Sequence, residues 1–195
     1  MVDVDFRRGI ANVVPAPAGG KVRWLGDGRA LSLELCQGIR RTLAGEELEA
    51  TRLSRRASDR LERVRSGFSW VRASPESVVL RDENDAVWWW TFAGARANLW
   101  LAGALGDLSD QSVPEDLRIR LKSDADAGQV AEVLEVLDLD HMTLGARIAE
   151  NAIDRLKFGE ALPGEMARRV VAARLRDDPT VAAVRDWPVR GHTRR

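Results

Sequence analysis

Apolar residues recur along this chain in two rhythms. Leu31, Leu35, Ile39 and Leu43 repeat every fourth position and Ser32 can cap them, which predicts a helix over about 32–44, ended by Gly45. Leu53, Ala57, Leu61, Val64 and Phe68 form a second stripe and predict a helix over about 54–66. Arg52, Arg56 and Arg63 gather on another side of it, and Arg55, Asp59 and Arg63 are spaced to pair. Shorter β-type runs predict strands over 9–14 and 21–25, joined by a Pro- and Gly-rich turn, then over 77–81, 86–92 and 117–121. The polar residues 82–85 have turn composition and make 77–92 a hairpin. Alternation puts Trp88 and Trp90 on one side of the last hairpin strand and Trp89 on the other. Helical patterns follow over 93–105, from a cap at Asp124 or Asp126 to about 137, over 143–156 and 164–176, and briefly after Pro179.

Taken together these elements predict an α+β fold. A curved, mostly antiparallel sheet with two inserted helices would occupy residues 1–122, and a helical cluster over 123–188 would close the same domain. Residues 189–195 read as a frayed tail.

Composition narrows the function classes. A chain of 195 residues buries enough surface to need no disulfide or metal staple, and Cys36 is the only cysteine. With two histidines, His141 and His192, a histidine metal site or a Ser-His-Asp triad has too few parts, so the expectation is no metal, no cofactor and no catalytic residue. No apolar run reaches the roughly 20 residues of a membrane helix, and the acidic start lacks an apolar signal region, so a cytoplasmic protein without membrane contact is expected. There is no GxxxxGK loop to cradle ATP phosphates, hence no ATPase motor. Net charge is zero but unevenly spread: 14 basic and 9 acidic side chains in 1–75 give +5, 8 and 18 in 76–167 give −10, and 8 and 3 in 168–195 give +5. Basic ends permit a nucleic-acid surface without requiring one.

The basic helix is the first candidate for such a surface, with Arg52, Arg56 and Arg63 on phosphates; the alternative is a solvated face laced by pairs to Asp59 and Glu62. Trp24, Trp88, Trp90 and Trp100 are expected in the core, whereas Trp89 would stack on a base if its sheet face were open. Arg96 and Asn98, at the strand-to-helix corner, either bind backbone phosphate or tie the corner together. Residues 82–85 superficially resemble a DExD box but sit where a turn belongs, and Asp138 and Asp140 look like turn and capping residues.

Four strings in order, VVPAPAGGKVRWLGDGRALSLELCQGIRR (13–41), RLSRRASDRLERVR (52–65), VWWWTFAGARANLWLAGAL (87–105) and RLKFGEALPGEMARRVVAARLRDD (155–178), resemble the C-terminal region of Lhr-type (large helicase-related) DEAD/DEAH-box helicases. The resemblance spans about 10–188; the third string matches a WWTFAG-x-RAN pattern, though three consecutive Trp exceed the two expected there and Trp100 replaces a small or polar residue. It implies a non-motor accessory domain, lying beyond two RecA-like motor domains and a winged helix, that helps hold a single strand. The partners implied are single-stranded nucleic acid, bound weakly and without sequence preference, and helicase motor domains in cis or trans, in a setting such as DNA repair. The alternative is a structural module that docks on a motor without touching nucleic acid.

Overall fold

The computed structural model describes residues 3–5, 10–12, 30–46, 52–110, 112, 114–142 and 163–193. The expected strand at 21–25, the helix at 143–156 and Trp24 lie outside the described residues. Strands β1 (Asp3–Asp5) and β2 (Ile10–Asn12) form a separate antiparallel ladder. Helices α1 (Leu33–Leu43) and α2 (Arg55–Ser66) follow, then the hairpin β3 (Ser77–Arg81) and β4 (Val87–Trp90), helix α3 (Ala95–Leu105), strand β5 (Arg118–Leu121) and helix α4 (Ala127–Glu135). Helices α5 (Gly164–Leu175) and α6 (Asp178–Arg185) lead into strand β6 (Val189–Thr193). The class is α+β, with a four-stranded sheet in the order β5-β4-β3-β6.

Local chemistry sets the helix starts. The Ser32 and Ser54 hydroxyls accept from the amides of Leu35 and Ala57, and Asp126 makes a reciprocal capping box with Gln129. At the hairpin tip Asp82 Oδ1 accepts from the amides of Asn84 and Ala86, so residues 82–85 are a turn.

Both faces of the sheet are covered. Val79, Val87, Trp89, Ile119 and Leu121 pack with α3, α4 and α6, while Val78, Leu80 and Trp90 pack with Cys36 of α1 and with Trp70, Val71 and Phe92. The segment expected to fray is instead an edge strand over 189–193: β6 runs parallel to β3 with Val78 opposite Arg190, whereas the other two pairings of the sheet are antiparallel. Arg190 holds it there, donating to Glu76 Oε1 and to the Trp70 carbonyl, both at 2.7 Å.

Candidate nucleic-acid interface

Helix α2 is a twelve-residue helix without a buried residue. At about 100° per residue, Arg56, Arg60 and Arg63 fall within an arc of about 60° and span roughly 10 Å of axis. All are exposed, as are Arg52 and Arg55 beside them. Among the described residues no carboxylate pairs with Arg52, Arg55, Arg56, Arg60 or Arg63; Arg63 donates only to the Asp59 carbonyl at 3.2 Å. The lacing by Asp59 is therefore missing, and Glu62 pairs with Arg65 at 2.9 Å. Arg65 faces the other way: its guanidinium also donates to the carbonyls of Thr42 and Glu46, capping the end of α1. Over 52–72 seven arginines stand against Asp59 and Glu62, a net of +5. Arg60 was not among the sequence candidates, although its spacing of four from Arg56 is a legible signal. The apolar stripe of α2 stays partly open, with Leu53 40% and Val64 38% exposed.

The other candidates lie elsewhere and do other work. Trp89 is not available to a base: it is 0% exposed, because its sheet face is covered by α3, α4 and α6. Trp90 and Trp100 are core residues. Trp88 is only partly buried; its indole N–H donates to Asp82 Oδ2 at 3.0 Å, and the Arg118 guanidinium lies 3.7 Å from its ring centroid. Those hydrogen bonds from the indole and from the amides of Asn84 and Ala86 outweigh the upward effect of burial and hold Asp82 below its usual carboxylate range.

Asn98 is not a phosphate ligand either. It is 0% exposed, accepts from the Thr91 hydroxyl at 2.6 Å, and donates to the carbonyls of Glu115 at 2.7 Å and Asp116 at 3.2 Å. Of the two roles open to it, tying the corner is the one it plays. Arg96 sits on the surface but donates to the carbonyls of Arg174 and Arg176 at 2.9 and 2.7 Å, and Trp100 donates to that of Leu175 at 2.9 Å. Together α3 side chains satisfy the end of α5, whose last carbonyls lack intrahelical donors. The corner is also strained and tight: Phe92 has φ 51°, and a Cβ on Gly94 (φ +92°) would collide with the Leu31 carbonyl oxygen.

Among the described residues, no helix is long and apolar enough to cross a membrane. No known protein family, curated protein or solved structure matches the chain.

Proposed function

We propose that this chain is a non-motor accessory domain of a helicase that touches nucleic-acid phosphates through the arginine face of α2. The helicase setting rests on the resemblance of the four strings to the Lhr-type C-terminal region. The contact rests on one observation: exposed guanidiniums on a helix that buries nothing, without a carboxylate partner among the described residues. Arginine without an internal partner keeps its charge free for phosphate. Because Trp89 and Asn98 are buried, the reading narrows to phosphate contact and gives up base stacking. Net charge of zero gives little steering from a distance, so binding should be weak, roughly 10⁻⁴–10⁻⁶ M.

Fluorescence anisotropy of a labelled oligonucleotide at several salt concentrations tests this. The double variant Arg56→Glu, Arg63→Glu should bind more weakly and with a flatter salt dependence, at unchanged circular dichroism. Arg185→Gln, which removes an arginine already paired with Asp186, should bind as the parent does. Undiminished binding by the double variant would instead favour the second reading, docking on a motor domain, for which the open stripe at Leu53 and Val64 is the supporting feature.

A further inference from the structure

Single-strand binders combine a basic groove with rings on which bases stack, each ring contributing about 1–3 kcal/mol per base. Among the described residues neither part accompanies α2. Among the described residues no Phe or Trp ring is exposed, the three partly buried ones each have a face occupied, and the exposed imidazole of His141 is bonded to Asp138. Phe68 packs against Trp70 and Trp90, with centroids 5.8 and 5.6 Å away. Trp88 lies under Arg118, and Trp187 under Arg40 at 5.3 Å. A cavity of ≈ 630 Å³ includes Ser66 at the end of α2 among its lining, but its other side chains include Ser69, Trp70, Glu83, His192 and Thr193, with no arginine or lysine among the described residues. Among the described residues, nothing on this face reads a base or encloses a strand.

We propose that the ligand of the α2 face is the phosphate backbone of a double helix rather than a single strand; this rests on the proposed function above and names its substrate class. A duplex presents a charge per about 1.7 Å of axis over its two strands, so the roughly 10 Å covered by Arg56, Arg60 and Arg63 lies along a stretch carrying about six phosphates, held in place without any chain ordering. A flexible single strand has lower charge density, and here no stacking offsets the entropy of ordering it. The helix itself, with no buried residue, leaves its arginine side clear for a wide, stiff partner.

The test compares a 20-nucleotide single strand with the 20-base-pair duplex containing it, in the full chain, by anisotropy from low to moderate salt. With three contacts the duplex should show a log–log salt slope of about −2.7, against about −2.1 for any single-strand binding through the same groups. The duplex should bind several-fold more tightly at low salt, and Arg60→Gln should take about 0.9 from its slope. Exchanging the sequence for an unrelated one should change neither affinity. Tighter binding of the single strand, or dependence of its affinity on base identity, overturns this inference while leaving phosphate contact by the domain intact. Binding of neither form at low salt overturns both.

Discussion

The buried amide of Asn98 offers the sharpest test of how the corner after β4 is built. Asn98→Ala removes an acceptor from the Thr91 hydroxyl and a donor from the Glu115 carbonyl, while the Asp116 carbonyl still accepts from Gly94 at 2.8 Å. The buried Thr91 hydroxyl loses its acceptor and keeps only the Ala93 amide that donates to it, the part-buried Glu115 carbonyl loses its donor, each at about 1–3 kcal/mol, and the lost side-chain atoms leave a small void. Removing the amide's own burial penalty offsets part of this, so the net destabilisation should be about 3 kcal/mol. For a chain of this length that lowers the thermal midpoint by roughly 6–12 °C. Urea unfolding followed by tryptophan fluorescence measures it, with an unchanged m-value marking a pure stability effect. In a Thr91→Val background the same substitution should do less damage, because no hydroxyl is stranded; the coupling should be about 1 kcal/mol or more. A loss below about 1 kcal/mol, or no coupling to Thr91, would refute the reasoning and return Asn98 to the list of candidate ligand groups.

Trp89→Ala should cost about 3–5 kcal/mol, as for a fully buried ring, and an oligonucleotide titration should find its affinity unchanged wherever the variant is folded. Cys36 is buried, and burial first, then the negative charge of Asp116, push its thiol up to about 12 from an ordinary 9.0. The native chain should therefore resist Ellman's reagent at pH 8 while the urea-unfolded chain yields one thiol. Because the unfolded thiol ionises first, its contribution to stability is complete below pH 9 and declines as pH rises toward the folded value; Cys36→Ala should flatten denaturation midpoints measured across that range. The exposed His141 imidazole, hydrogen-bonded to Asp138 Oδ2 at 2.7 Å, is raised by that bond and by the carboxylate charge, so its NMR titration midpoint should exceed the ordinary 6.5 and fall back in Asp138→Asn. Asp138 is lowered by the same bond, so the pair's stabilising effect fades both above the His141 midpoint and below that of Asp138.

Elements written in local chemistry were legible in advance. The cap Ser32, the cap left between Asp124 and Asp126, the stripes of α1 and α2, and the turn at residues 82–85 all act within four residues of themselves, and each element formed within a residue or two of its expected bounds. What escaped depends on contacts across the chain. Strand β6 reads as a polar tail because its sequence, VRGHT, has no apolar alternation; it becomes a strand through pairing with β3 and through Arg190 reaching Glu76, 114 residues away. Alternation separated Trp89 from Trp88 and Trp90 but could not tell which face would be covered more deeply. That was decided by α4 and α6, which come from later in the chain. Arg96 likewise finds its partners 78 and 80 residues on, at the end of a helix whose bounds the local pattern gives but whose packing against α3 it does not.

These placements change what the most distinctive string can be asked to support. In residues 91–98 the Thr91 hydroxyl and the Asn98 amide bond each other, and Gly94 meets the Leu31 carbonyl too closely for any side chain. The Phe92 carbonyl accepts from Gln37 at 2.7 Å, and Asp116 Oδ1 takes the amides of both Leu31 and Ala95. These polar groups are spent on joining β4, α3, α1 and the loop before β5, and Arg96 ties α3 to the end of α5. A pattern of this kind can persist for architectural reasons alone, whatever the domain binds, because losing one member strands a buried partner. Likeness through the tryptophan string therefore bears on the fold. Any likeness in function has to come through surfaces that the corner leaves unconstrained, and α2, which buries no residue and pairs only Arg65 of its arginines with a carboxylate among the described residues, is the surface on which that question turns.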